Sequence, residues 1–320
     1  MGKFNEYTQK ATPEDADTFL AYDTSGKSNK QVTMQSVAEA ILSKMSHNVP
    51  RLVPKDITSY YNDGTLWKRL EGTGGYSLYE DLYVGDYFKM SRAISAQNPD
   101  STLQLTGSQY VTIASIGGLA HNGDNIDLAP NHLVMIPGQG FGGTQHFGRS
   151  RMNPSNTTVG GYKDSEMNTT VLGAVTTSGS TATGATINQQ LYAEFGSHLK
   201  TTRELISKSI NASGYNRFGT SGGCSNDWEW GSYQAMLMSE IEVYGSIVWS
   251  SSAYDTGTAN HQFELFAHSK AAINNRSAWY WLKDVASATY FCGCHGNGGA
   301  GYHGASYAGS CVRPRFVIGA

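Results

Sequence analysis

Apolar residues in this chain are grouped into short runs that polar turns separate, a pattern typical of β-strands. The clearest runs cover residues 82–90, 108–116 and 132–137, and their length and flanking turn residues predict strands. Partial helical periodicity predicts a helix over 197–210, ended by the polar segment that follows it. A further apolar segment covers 235–249.

The first 45 residues have a pattern of their own. A short strand is predicted at 19–22, with a turn at Ser25 and Gly26. An amphipathic helix of about three turns is predicted within 32–45, where four apolar residues recur at helical spacing: Val37, Ile41, Leu42 and Met45. A unit this short cannot bury its apolar residues alone, so we expect it to pack on another copy or another protein. Residues 46–75, with two prolines and a Gly-rich end, are predicted to be a connector or a stem.

Composition narrows the class of protein. Charged residues make up 15% of the chain, beside 37 Gly and 19 Tyr, whereas about 25% charged residues is usual. A loop or weak strands are expected at 168–188. Together with the predicted strands, this predicts an α+β fold, mostly β, with long irregular loops. A net charge of −3 gives no basic patch for nucleic acid. The chain has no apolar run of about 20 residues and no apolar leader, so we expect no membrane insertion and no secretory signal.

The segment 290–311 reads YFCGCHGNGGAGYHGASYAGSC and is the main candidate for function. Its glycine content disfavours helix and regular strand, so we expect exposed turns between core segments at 279–281 and 316–318. Tyr, His, Ser and Asn on Gly-rich loops are typical of binding surfaces. The candidate ligand-binding residues are Tyr290, Cys292, Cys294, His295, Asn297, Tyr302, His303, Tyr307 and Ser310. The alternative is a glycine-rich structural loop with ordinary aromatic packing.

Other chemistries fit the residues less well. Thiolates and imidazoles from Cys292, Cys294, His295, His303 and Cys311 suit zinc or copper, but C-x-C-H is not a usual zinc spacing. His198 with Glu204 offers an acid–base pair, although polar turns explain these segments more simply. No nucleophile elbow, P-loop or dinucleotide motif is present. We therefore expect no catalytic residues, no metal and no cofactor.

The N-terminal residues resemble the short module common to phage tail fibre and tail spike proteins. The matching positions are Pro13, Asp15, Asp17, Phe19-Leu20, Tyr22-Asp23 and Lys30-Gln-Val-Thr33. This resemblance implies that residues 1–45 attach the chain to a tail or baseplate protein.

From about residue 82 to the end, the chain is similar to a phage-associated family with a C-type-lectin-like (formylglycine-generating-enzyme-like) C-terminal domain. The stretches that carry the similarity are 81–88, 132–137, 195–205, 237–245, 274–277, 279–282 and 312–316. The resemblance implies that residues 76–320 form a receptor-binding domain.

The last 40 residues also resemble the variable regions of diversity-generating retroelements, in which Asn codons never become codons for Lys, Glu, Gln, Met or Trp. The segment 290–311 contains none of these five types, although neither does 168–188. The resemblance implies a hypervariable adhesion surface on a homotrimer of the virion tail, made in the host cytoplasm, that binds a host cell-surface protein or glycan. The alternatives are a tail or capsid decoration protein without a receptor role, and a thiol enzyme of the formylglycine-generating type that uses Cys292 and Cys294.

Overall fold

A computed structural model of the chain describes residues 18–23, 28–33, 49–97, 103, 105–124, 128, 131–207, 228–250 and 259–320. The predicted N-terminal strand is confirmed as β1 (Thr18–Asp23), which pairs antiparallel with β2 (Ser28–Thr33). The helix predicted within 32–45 lies outside the described residues from position 34 onward, and so does Cys224.

The largest sheet confirms the three predicted strand regions. It contains β3 (Tyr87–Lys89), β4 (Tyr110–Ile116), β5 (His132–Pro137), β6 (Leu199–Lys200), β9 (Met236–Leu237) and β13 (Pro314–Gly319). The order is β3-β4-β5-β13-β6, all pairs are antiparallel, and β9 pairs with the start of β13. The fold is α+β, and the described residues have somewhat more strand than helix.

The C-terminal strand lies in the middle of this sheet. Every residue of β13 is buried, and Phe316 pairs with Met135 while Ile318 pairs with both Leu133 and Leu199. A strand buried on both faces is rich in apolar residues, and the sequence shows this at Phe316, Val317 and Ile318, although β13 also contains the buried Arg315. The end of the segment 290–311, which precedes β13 in the chain, is therefore attached to a rigid strand.

The segment 46–75 differs from the predicted connector. It contains α1 (Thr58–Asn62) and α2 (Thr65–Glu71). Ile57, Leu66 and Leu70 are fully buried in the same hydrophobic cluster as the large sheet. Ile57 also donates its backbone N–H to the carbonyl of Tyr87, at 2.8 Å. The packed core thus begins well before residue 76.

The helix predicted over 197–210 is wrong. The helix in this region is α4 (Ile187–Phe195), which Thr186 and Gln189 begin with a capping box and Gly196 ends. A 3₁₀ turn (Gly196–His198), β6 and β7 (Thr202–Ser207) follow, and residues 208–210 are outside the described part. The buried residues at the start of β7 are the polar Thr202 and Glu204, so the sequence has no apolar–polar alternation that would predict a strand there.

The region predicted as a loop or weak strands begins with a π-helix (Met167–Leu172) and is irregular over 173–186. The remaining helices are short: α3 (Gly161–Asp164), α5 (Glu240–Tyr244), α6 (Glu264–His268) and α7 (Lys270–Asn274). None of the described helices has the length and apolar character needed to cross a membrane. A two-stranded sheet pairs β7 with β8 (Trp228–Tyr233).

The segment 290–311 contains regular strands, contrary to the expectation of turns alone. A three-stranded antiparallel sheet joins β10 (Tyr280–Val285), β11 (Tyr290–Cys294) and β12 (Ala300–Gly304). Glycine's weak strand preference is overridden here because β11 is hydrogen-bonded on both sides. The candidate residues are therefore arranged by strand register.

Candidate ligand-binding surface

Strand pairing alone does not decide which candidate residues are buried. Tyr302 pairs with Cys292, and His303 pairs with Phe291. The exposed fraction is 0% for Cys292, 1% for Cys294 and 0% for Ser310. These three residues cannot contact a ligand on the surface, so their prediction as binding residues is wrong.

The thiols lie in an environment that disfavours a thiolate. Burial raises the pKa of Cys294, which also lies beside Tyr244 and Tyr280. Burial likewise raises the pKa of Cys311 to about 11, against the opposing effect of Arg149. Nucleophilic cysteines need a lowered pKa and access to solvent, so this environment does not support thiol catalysis. In the described part of the chain, no three His, Cys, Asp or Glu side chains are grouped to hold a metal ion.

The other candidates remain at the surface. Tyr290, Tyr302, Tyr307 and Asn297 are exposed, while His295 and His303 are half-buried. The turn between β11 and β12 is tightly closed: the N–H of His295 donates to Gly299 O at 2.8 Å, and the N–H of Gly298 donates to His295 O at 2.9 Å. The side chain of Asn297 accepts the N–H of Gly299 inside this turn. The turn therefore has a defined conformation, and its side chains are held at the surface.

One cluster of rings is built around Trp279. Its indole stacks on the imidazole of His295, with ring centroids 4.0 Å apart and planes at 11°. It also contacts His303 at 4.3 Å, and His303 stacks on Tyr307 at 4.8 Å. We call these four side chains the Trp279 cluster. Trp279 is 39% exposed, which corrects its assignment to the core.

A second cluster consists of Trp249, Tyr302 and Tyr290. Trp249 contacts Tyr302 edge to face at 4.9 Å, and Tyr302 lies 5.1 Å from Tyr290 between ring centroids. The indole N–H of Trp249 donates to Ala300 O at 3.2 Å. We call this group the Trp249 cluster. Both clusters border the same hairpin, β11–β12.

A buried carboxylate holds the backbone that carries Trp249. Glu240 is 1% exposed and accepts the backbone N–H groups of Val248, Trp249 and Ser250, each at about 2.9 Å. Hydrogen bonds to an ionised group are stronger than those between neutral groups. Trp249 is therefore anchored even though its side chain is in solvent.

Glycine permits the close packing of the Trp279 cluster. A Cβ atom added at Gly301 would lie 1.9 Å from Nε2 of His295. Any side chain at position 301 would therefore displace the His295 ring from its place over the strand. The high glycine content of the segment thus has a packing role, beside any role in turns.

A pocket of about 360 Å³ opens beside the Trp279 cluster. It is lined by Arg149, Ala278, Trp279, His303, Tyr307 and Gly309. Burial and the neighbouring His295 lower the pKa of His303 to about 4, so its ring is neutral at pH 7. Arg149 is then the charged group of the pocket wall.

Three residues of this surface were not among the candidates. Arg149 and Trp249 are distant in sequence from 290–311, and Trp279 was assigned to the core. One sequence feature could have indicated Trp249 as a surface residue. Three large apolar residues, Ile247, Val248 and Trp249, are adjacent in the chain and precede a series of serines, without helical or strand spacing. All three are exposed, at 45% to 49%.

The proposed acid–base pair does not form. His198 stacks on Trp67 with ring centroids 3.9 Å apart and contacts Gly319 O through Nδ1 at 2.8 Å. Glu204 instead pairs with Arg315, at 2.6 Å. Both residues have structural partners.

Comparison of the chain with protein-family models, with curated proteins and with solved structures finds no match.

Proposed function

We propose that this chain is a phage tail receptor-binding protein that recognises a host-cell surface ligand by non-covalent contacts. The observation that supports this most is a group of five exposed aromatic side chains around one hairpin: Trp249, Trp279, Tyr290, Tyr302 and Tyr307. Each is between 39% and 48% exposed. Exposed apolar patches on soluble proteins mark interaction sites, and Tyr and Trp give large contact area at low entropy cost.

The framework under these side chains favours recognition over a passive role. Tyr290 and Tyr302 are on paired strands, Trp249 is anchored by Glu240, and His295 is stacked on Trp279. A rigid framework lowers the entropy that is lost when a ligand binds. A C-type-lectin-like fold, the finer assignment that we propose, would display its binding residues on loops and short strands in this way.

Attachment and assembly form a second part of the proposal. The β1–β2 hairpin pairs with no further strand of the described residues, and an isolated two-stranded hairpin is marginally stable in water. We propose that residues 1–45 are covered by a tail or baseplate protein in the virion, and that the chain forms a homotrimer. Three tips would add avidity to weak single contacts.

Non-covalent binding without catalysis is supported by the state of the thiols. Cys294 and Cys311 are buried, and burial raises the pKa of each, so neither is a thiolate at pH 7. The formylglycine-type alternative requires a reactive thiol. A decoration protein without a receptor role remains the competing non-enzymatic function.

The test is binding of the fluorescently labelled full chain to bacteria from the community in which the gene occurs. We expect the wild-type chain to label a subset of cells, and Tyr302→Ser with Tyr290→Ser to reduce labelling at least 10-fold. Trp230→Ser is the matched control because Trp230 is 38% exposed on β8, outside both clusters. Labelling of no cells, or equal loss in the control, would favour the decoration role.

A further inference from the structure

The pocket beside the Trp279 cluster has one charged lining residue, Arg149. Two arginines, Arg149 and Arg313, lie close enough to His146 that both disfavour its protonation, in addition to the effect of burial. Within the described part of the chain, neither arginine pairs with a carboxylate. Arg313 donates to the carbonyl oxygens of Ile273 and Ala272, which carry no net charge.

The position of Arg149 is fixed by the backbone. Arg149 and Cys311 form an antiparallel bridge, and the N–H of Cys311 donates to Trp279 O at 2.7 Å. Three segments distant in sequence are thus joined at the pocket wall. The side chain of Arg149 contacts the thiol of Cys311, whose pKa burial raises, so a neutral group lies against the guanidinium.

Polar atoms in this wall lack partners. Nε of Arg149 and Nε2 of His303 are buried and have no hydrogen-bond partner among the described residues. Buried polar atoms of folded proteins are nearly all hydrogen-bonded. No acidic side chain lines the pocket. The two unpartnered atoms are closed to solvent and are not contact atoms for a ligand, but Arg149 as a whole is half-buried, so an anion in the pocket would supply the negative charge that the wall lacks.

The rest of the pocket offers aromatic surface on which the C–H face of a sugar ring can pack. Trp279 and Tyr307 are 39% and 48% exposed and offer aromatic faces. The volume of about 360 Å³ is at the lower end of the range for small-ligand sites. The site is concave, so it fits a single ring better than the surface of a folded protein. Guanidinium groups match the planar geometry of carboxylates.

We propose that this pocket binds a carboxylate-bearing sugar, in which Arg149 holds the carboxylate and Trp279 and Tyr307 pack against the ring. The inference rests on the proposed receptor-binding function and deepens it, because it assigns the ligand to the acidic glycans. Binding is non-covalent, and the sugar is released unchanged.

The experiment is a glycan array that carries uronate- and sialate-containing oligosaccharides beside the same compounds with each carboxylate methyl-esterified. We expect the full chain to bind at least one acidic glycan, with at least a 10-fold loss on esterification. Arg149→Gln should lose binding by at least 10-fold, and Arg149→Lys by less. Arg151→Gln is the matched control, because Arg151 pairs with Glu166 at 2.7 Å outside the pocket. It should bind as the wild type does.

A folding defect is separated from a binding defect by Tyr307→Ala, which alters an exposed ring and should weaken binding with an unchanged melting temperature. The inference is overturned if no signal on the array depends on the carboxylate, or if Arg149→Gln binds as the wild type. It is also overturned if polyglutamate competes as well as the acidic sugar, since the ring would then contribute nothing. If the chain labels cells but binds no glycan on the array, the assignment of an acidic sugar as the ligand is refuted and the proposed receptor-binding function is retained.

Discussion

The indole of Trp279 and the imidazole of His295 stack almost parallel, with 11° between their planes and 4.0 Å between ring centroids. The contact joins the start of β10 to the turn after β11, on the edge of the pocket. It depends on a third position, since Gly301 leaves the space that the His295 ring occupies. A substitution at Gly301 therefore tests whether the stack of His295 on Trp279 requires glycine at this position.

We predict that Gly301→Ala displaces His295 and separates it from Trp279. Forced overpacking costs about 1–3 kcal/mol, and the chain's tryptophan fluorescence should change as the stack is lost. Urea denaturation and emission spectra check both. Gly142→Ala is the control, because an added Cβ there meets no atom within 4 Å. A Gly301→Ala chain with unchanged emission and stability would contradict the role given to Gly301.

Glu240→Gln should release the segment that carries Trp249. The substitution removes a charge that accepts three backbone N–H groups and places an amide donor against them. Hydrogen bonds to charged groups contribute about 1.5–3 kcal/mol, so we expect a stability loss of about that size together with weaker cell binding. Chemical denaturation gives the free energy of unfolding. Glu71→Gln, at an exposed residue, should change it by less than about 0.5 kcal/mol.

Arg315 is predicted to be the most sensitive charged residue of the core. It lies between Glu204 at 2.6 Å and Glu242 at 3.0 Å, and all three are buried. Arg315→Met would leave two carboxylates without their cation, a change that costs about 3–5 kcal/mol. Arg203→Gln removes an arginine paired near the surface with Asp124 and should cost no more than about 1 kcal/mol. Equal effects in urea denaturation would show that burial does not control the strength of these pairs.

Stability should fall as the pH is lowered from 6.5 to about 4, in part because of His146. Burial first, then Arg149 and Arg313, lower its pKa from 6.5 to about 4. In this window the unfolded chain takes up a proton at His146 that the folded chain does not, so acid favours unfolding. At about 1.4 kcal/mol per pH unit, the loss is at most about 3.5 kcal/mol.

His146→Gln should reduce the slope of stability against pH between 4 and 6.5, measured by urea denaturation at each pH. His268→Gln alters an exposed side chain and should retain the wild-type slope. A slope that is the same in all three proteins would show that His146 is protonated equally in the folded and unfolded states.

If the surface is diversified, the codons for 290–311 should vary in a population of this gene, at adenines of a nearby template. We expect changes at the exposed positions Tyr290, Tyr302 and Tyr307. The buried Cys292 should stay constant, because substitution there would disturb packing against β10 and β12. Deep sequencing of the codons for 280–320 measures this. A uniform sequence without a template would remove the diversification hypothesis and leave receptor binding to the exposed aromatic surface.

The sequence by itself determined the strands in which apolar residues predominate, namely β4, β5 and β13. A run of apolar side chains marks a strand that is buried on both faces, whereas the partners of the polar residues within these strands, such as Arg315, come from the tertiary structure. It also located the segment 290–311 and its aromatic residues. At 187–207 a few apolar residues at helical spacing outweighed the capping box at Thr186, and β7 has no apolar–polar alternation that would predict a strand.

Only the tertiary structure decided which residues of 290–311 face solvent. Cys292 and Tyr302 are paired across β11 and β12, yet one is buried and the other is exposed, because surrounding elements cover one position and leave the other open. It also joined Arg149 and Trp249 to this surface, through the bridge to Cys311 and the anchor at Glu240. These contacts link residues far apart in the chain, so no local pattern of hydrophobicity or spacing contains them.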